Sequence, residues 1–362
     1  MGVFEDLRHG QITQGYFGNH TATIDWCELN YTHSPYIAEW INCCTNLPTI
    51  LLGLWGCYGS WRGGLRRRYY LGYLGLTGIG LGSFGFHASL MWEWQLMDEL
   101  PMIYLVSYCG YLVLDTLPEF KPRFGLVGPA ILIAWDIFVT VSYFCLPNPI
   151  YHQLAFGAIL LFGVTQNFRF IRRLSAAADA NPERHAKVIR TLLSGIATFV
   201  VGFILWNIDN LFCSVLRRGQ AFLGPLGFVL QGHGYWHLMT GYGSFLIMTA
   251  SAYLQLAIKT SPDTYDFDAS AWFPVCYRVQ LDRSAPSTLI SKPIITDHPL
   301  HYDSKGSGRV PSRSDMVGDE KGGVVGKVRS DSDGSDISVG TRHRRGGRVQ
   351  SEVRPEKGIP RG

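Results

Sequence analysis

The stretch GIGLGSFGFHASLMWEWQLMDELP, Gly78 to Pro101, decides the fold. It begins inside a long apolar run and ends among groups that hydrocarbon tolerates badly: Ser83, His87 and Asp98. An ionisable side chain at mid-bilayer costs roughly 2.5–3.5 kcal/mol on insertion scales, so a residue of this kind normally has a task. Gly80, Gly82 and Gly85 also fit the form G-x-G-x-x-G. That dinucleotide fingerprint requires a preceding strand and a soluble helix in a βαβ unit. With Gly72, Gly75 and Gly78 in the same run, close packing of one membrane helix on another explains the glycines better.

Outward from this stretch, the chain of 362 residues divides into two unlike parts. Up to about Lys259 it is a series of apolar runs of membrane-spanning length; beyond, it is polar and rich in Ser, Gly and charge. Seven spans are predicted: Tyr36–Trp61, Tyr69–Leu90, Leu100–Leu117, Phe124–Leu146, Ile150–Phe170, Ile189–Phe212 and Gly232–Ile258. The expected fold is therefore an all-α integral membrane bundle of seven transmembrane helices. Residues 1–35 form a lumenal segment, 36–260 the membrane core and 261–362 a disordered cytosolic tail. The start of the chain carries no charged segment followed by an apolar core, so a cleaved signal peptide is not expected.

The net charge of +4 is modest, and the basic residues fall in short clusters between apolar runs. That is the pattern of cytoplasmic loops, not of a nucleic-acid-binding face. Arg62, Arg66, Arg67 and Arg68 follow the first span, Lys121 and Arg123 the third, and Arg169, Arg172, Arg173, Arg184 and Lys187 the fifth. With seven spans all three loops share the cytosolic side, which puts the N-terminus in the lumen and the tail in the cytosol. Arg217 and Arg218 are a minority on the other side. The sequon at Asn19 then lies where glycosylation occurs. Cys27 and Cys213 both lie on the oxidising side, so a disulfide between them is permitted; both as merely small buried residues is the alternative.

Ser83 and His87 are four apart and share a helix face near the lumenal end of the second span, and Asp98 opens the third span at that level. The seventh span opens with Gly-His233-Gly-Tyr-Trp-His237, whose two histidines at i, i+4 can hold one metal ion from a single face. Singly, the histidine pair reads as interfacial polarity, Asp98 as a helix-dipole partner and Ser83 as a packing residue. Together at one depth they point to chemistry. Three neutral imidazoles with an open fourth position are the catalytic zinc arrangement. Asp98 then either serves as base and acid or fills the fourth position itself, and Ser83 donates to a developing oxyanion. A second, acidic cluster precedes the first span, with Asp25, Glu28, Asn30 and, further on, Glu39; carboxylates with an amide suit a hard ion such as Ca²⁺, though not with the spacing of an EF-hand.

With these residues in view, the chain resembles the alkaline ceramidases, a family of seven-span membrane amidases. The resemblance runs from about Asp25 to the end of the seventh span. It rests on Asp-Trp-Cys-Glu-x-Asn-Tyr at 25–31, Glu39, Ser83-x-x-x-His87, Gln95-x-x-Asp98-Glu-x-Pro101 and His233-x-x-Trp236-His237. It implies zinc on His87, His233 and His237, with Ser83 and Asp98 assisting catalysis. It implies calcium on Asp25, the Trp26 carbonyl, Glu28, Asn30 and Glu39, which leaves Asn19 as the glycosylation candidate, and a Cys27–Cys213 disulfide. The implied activity is hydrolysis of the ceramide amide to a sphingoid base and a free fatty acid in endoplasmic reticulum or Golgi membranes. The competing reading is an adiponectin-receptor-like seven-span protein with a structural zinc. A transporter using Asp98, Asp136 and Asp209 as a proton relay leaves the histidines without a role.

Overall fold

The computed structural model describes residues 12–176 and 181–279. Seven long helices carry the architecture: α1 Trp40–Arg62, α2 Arg67–Ser89, α3 Trp92–Leu114, α4 Val127–Cys145, α5 Pro149–Ser175, α6 Pro182–Leu211 and, after the short α7 Cys213–Leu223 and a 3₁₀ turn at Gly224–Leu230, α8 Gly232–Lys259. Two small hairpins flank them, β1 Gln14–Gly15 with β2 Gly18–Asn19, and β3 Tyr265–Asp268 with β4 Val275–Arg278, both antiparallel.

Among the described residues three helices are long and apolar enough to cross a membrane by length and composition: α4, Ile150–Ser175 of α5, and α6. The sequence reading expected seven. The other four, α1, α2, α3 and α8, are 23 to 28 residues long, so length is not what separates them. Their mean hydropathy is lowered by buried polar side chains, among them Asn42, Asn46, Ser83, His87, Gln95, His233 and His237. These four pack on one another, α1 against α2 and α8 and α2 against α3, with α6 laid along α8.

Helix ends are fixed by side chains. Asn148 and Asn181 accept from the first-turn N–H groups of α5 and α6, each followed by Pro at the first helical position. The start of α1 is capped from a distance, since the Glu28 carboxylate accepts from Ile41 N at 2.7 Å and Asn42 N at 2.9 Å. Asp209 does the same for α8, accepting from Gly232 N at 2.9 Å. Its anionic oxygens there complement the helix dipole. Between α2 and α3 the chain reverses within two residues. Leu90 adopts φ +51°, a left-handed conformation unusual for a branched residue, and is held because its side chain is buried and its carbonyl accepts from Thr21 and Ala22. Helix α3 consequently starts at Trp92, a full two turns before the predicted boundary, and Asp98 lies inside it, not at its opening.

The polar tail does not start at residue 261. Tyr265, Phe267 and Cys276 of the second hairpin are buried in one cluster with Val188 and Leu192 of α6 and Leu254 and Ile258 of α8. Arg184 grips the hairpin through Asp266 at 2.8 Å, Asp263 at 3.1 Å and the Pro262 carbonyl at 2.9 Å, and Arg278 N donates to Gly63 O. Hydropathy averaging conceals such strands because Tyr-Asp-Phe-Asp alternates with period two, leaving only every second residue apolar. The rest of the expected tail, 280–362, lies outside the described residues. A chain ending at Thr260 lacks three side chains that are buried in the core of one ending at Val279, each contributing about 1.5–3 kcal/mol, and should melt roughly 10 °C or more below it. Thermal unfolding of the two truncations in detergent measures the difference.

Candidate metal centre

His87, His233 and His237 meet in the interior, each less than a tenth exposed. Their ligand-capable nitrogens all lie within 4.8 Å of one another, and the ring centroids are 4.6–5.0 Å apart. Helix α2 contributes His87 and Ser83 from one face; α8 contributes His233 and His237 from its first two turns. Two glycines let these helices close up. A Cβ at Gly241 of α8 would overlap the Thr49 hydroxyl of α1, and one at Gly82 would overlap the Met97 carbonyl of α3. Gly82 thus admits the start of α3 against α2, which carries Asp98 to Ser83. These two side chains lie beside each other.

Each imidazole is oriented. His87 Nδ1 is hydrogen-bonded to Glu39 Oε2, which leaves its Nε2 facing the cluster. His237 Nδ1 lies 3.0 Å from Thr45 Oγ1 and 3.3 Å from the Asn46 amide. The Thr45 proton is engaged at Ile41 O, 2.8 Å away, so Thr45 accepts from Nδ1–H and the Nε2 lone pair of His237 remains available. His233 stacks on Trp26, centroids 4.2 Å apart. Among the described residues His87 Nε2 and His233 Nδ1 are buried with no hydrogen-bond partner. Buried nitrogens without partners are costly, and two of them converging with the His237 ring are what a metal ion relieves. The donor set fits. Asp98 is not one of the groups within 4.8 Å of all the others; it reaches the cluster through Ser83, whose Oγ accepts from Asn46 at 3.0 Å and lies 3.5 Å from His237 Nε2.

The acidic cluster sits directly outside this centre. Asp25, Glu28, Asn30 and Glu39 are all buried. Trp26 N donates to Asp25 Oδ1 at 3.0 Å and to Glu39 Oε1 at 3.3 Å, and Asn30 Nδ2 lies 3.3 Å from both Asp25 oxygens. Burial pushes the Glu28 carboxyl up to about 7 despite the N–H groups of Ile41 and Asn42. Burial, with Asp25 and Glu28 nearby, holds Glu39 well above the usual carboxylate range. Three carboxylates gather here beside Arg217, whose Nε donates to Cys27 O at 2.9 Å. A buried, oxygen-rich cluster of carboxylates with an amide suits a hard divalent cation. Cys27 and Cys213 are bonded, Cα atoms 5.4 Å apart, fastening this segment to α7. Asn30 is buried in the cluster whereas Asn19 is exposed on β2.

Sequence reasoning did not single out Asn42, Thr45 and Asn46. With Thr49, which donates to the His237 carbonyl at 3.2 Å, they form a polar stripe at helical spacing along the otherwise apolar α1, and that stripe was the available signal. It also left unassigned the link between the two clusters: Glu39 touches His87 with one oxygen and Trp26 N with the other. A carboxylate behind a ligating histidine raises its basicity, so Glu39→Gln should weaken metal affinity about 10- to 100-fold, read by competition with a chromophoric chelator.

Fold and site together define a helical protein with membrane-spanning helices that encloses three histidines able to hold a metal ion. A family model described as Ceramidase matches residues 18–277, from the first hairpin through the second. Alkaline ceramidase 3 of Mus musculus is 34% identical over 278 residues, covering 74% of this chain and 96% of that protein. Alkaline ceramidase YPC1 of Saccharomyces cerevisiae is 32% identical over 289 residues, 74% of this chain and 87% of its own length. The alkaline ceramidase of Arabidopsis thaliana is 27% identical over 234 residues, 65% and 84% of the two chains. The chain belongs to the ceramidase family of hydrolases.

Proposed function

We propose that this protein is a zinc-dependent hydrolase that cleaves the amide bond of ceramide, phyto- or dihydroceramide included, to a sphingoid base and a free fatty acid. The observation that carries the reading is the buried, partnerless nitrogens of His87 and His233 converging with His237, with Ser83 and Asp98 beside them. The names of the relatives agree with it. His87, His233 and His237 hold the zinc as neutral imidazoles. When bound, the zinc supplies a Lewis acid that polarises a carbonyl and lets water ionise near neutral pH. Asp98 removes a proton from the attacking water and returns it to the departing nitrogen as the C–O bond forms and the C–N bond breaks. Ser83 Oγ–H donates to the carbonyl oxygen as charge develops on it. Asp25, the Trp26 carbonyl, Glu28, Asn30 and Glu39 hold calcium, which offsets the buried carboxylate charge and keeps Glu39 ionised behind His87.

All seven long helices cross the bilayer in this reading, the four less apolar ones turning their polar groups inward around the site. The basic loops place the N-terminus in the lumen of the endoplasmic reticulum or Golgi. The Cys27–Cys213 bond and the Asn19 sequon accord with an oxidising, glycosylating compartment. The test is metal removal. Purified protein dialysed against a zinc chelator should lose ceramide hydrolysis and regain it with added zinc. Undiminished turnover by metal-free protein would overturn the proposal, and a zinc-loaded protein that hydrolyses no ceramide would favour a receptor.

A further inference from the structure

A second cavity, of about 70 Å³ and partly open, lies between α2, α3, α5 and α8. It is remote from the metal centre. Tyr69 on its wall precedes His87 by 18 residues along α2, and Gln255 follows His237 by 18 along α8, about 27 Å at 1.5 Å per residue. The cavity is amphipathic. Towards the middle of the bundle its walls are Val106, Ile159, Ile247 and Met248, with Gly163 facing open space. At the far end stand Tyr69, Asn167, Ser251 and Gln255.

The polar end is incompletely satisfied. Ser251 Oγ donates to Asn167 Oδ1 at 2.9 Å and accepts from Gln255 Nε2 at 3.0 Å. Gln255 Oε1 and the Tyr69 hydroxyl are buried and have no partner among the described residues, although both side chains are only 3–4% exposed. Ser251 has one proton and it is engaged at Asn167. Turning the Gln255 amide over therefore exchanges an orphaned oxygen for an orphaned nitrogen. A buried acceptor and a buried hydroxyl on the walls of one cavity, each costly when unmet, match a ligand group that both donates and accepts. No charged side chain lines the cavity, which excludes an anionic or cationic head.

We propose that this cavity binds a long-chain lipid with a single uncharged hydroxyl head, the hydroxyl bridging Tyr69 and Gln255 and the chain lying in the groove beside Gly163. The site is separate from the metal centre and stands whether or not that centre hydrolyses ceramide. Full-length protein in phosphatidylcholine nanodiscs is photolabelled with a long-chain primary alcohol carrying a mid-chain diazirine, and the adducts are mapped by mass spectrometry. Labelling should concentrate on α3, α5 and α8 at the cavity wall and be competed by unlabelled alcohol. It should fall about tenfold or more in the Tyr69→Phe/Gln255→Leu double variant and in Gly163→Leu, which fills the groove from the other side. In His87→Ala it should be unchanged, so a failed hydrolase reading and a failed lipid site are told apart. Equal labelling by the corresponding alkane probe, or labelling indifferent to both cavity variants while the zinc content stays normal, overturns the proposal. So does the absence of labelling, since water alone would then satisfy Tyr69 and Gln255.

Discussion

Replacing any one of His87, His233 and His237 with Ala should remove bound zinc and reduce ceramide hydrolysis by about a thousandfold or more, the loss of a catalytic Lewis acid. The three substitutions should be nearly equivalent in turnover and should not add when combined, because the ligands act as one unit. Their effects on folding should differ. His87 is fully buried and bonded to Glu39, so His87→Ala leaves that buried carboxylate with Asn42 Nδ2 and Trp26 N as its donors at the edge of the acidic cluster. His233 packs on Trp26 and His237 on Thr45 and Asn46, neither of which becomes an isolated charge when the ring is removed. Zinc analysis, ceramide turnover and thermal unfolding on the same three preparations check this. Retained zinc with lost turnover in any of them would mean that the residue is not a ligand.

How much of this was readable beforehand depends on how local the signal is. His233 and His237 are four apart on one helix, and Ser83 and His87 likewise, so each pair is visible in the sequence as a shared face. That the pairs meet depends on Gly241 fitting against Thr49 and on the remote caps that Glu28 and Asp209 provide, and contacts of that kind have no periodicity to detect. Helices α4, α5 and α6 announce themselves by hydropathy because apolar side chains fill most of their length. The inner helices are harder to recognise for the reason that makes them functional: their polar residues are turned inward. The second hairpin was invisible because four-residue strands in polar company fall below any averaging window, yet Tyr265 and Phe267 are as buried as the helix cores. The extra two turns of α3 follow from Leu90, where a left-handed residue makes the reversal shorter than a turn-forming sequence would announce.

The role of Asp98 is decided by one substitution. A carboxylate that fills the fourth metal position and a carboxylate that moves protons are both abolished by Asp98→Asn, but with opposite effects on the metal. The geometry places Asp98 on Ser83, outside the group of ligand atoms within 4.8 Å of one another, and half-buried where the histidines are enclosed. Gly82 fixes that separation, because α3 already rests its Met97 carbonyl against α2 there and cannot advance further. Asp98→Asn should therefore keep its zinc while kcat falls by about 10²–10⁴, the span expected when a general base and acid is removed. Ser83→Ala should cost less than Asp98→Asn, about 10²-fold, since it deletes one donor to the oxyanion and leaves the proton path intact. The pair should be non-additive: with Ser83 gone Asp98 loses the neighbour that positions it, so part of the second loss is already contained in the first. Loss of zinc in Asp98→Asn would make Asp98 a ligand, close the coordination sphere, and remove the position from which a water molecule attacks.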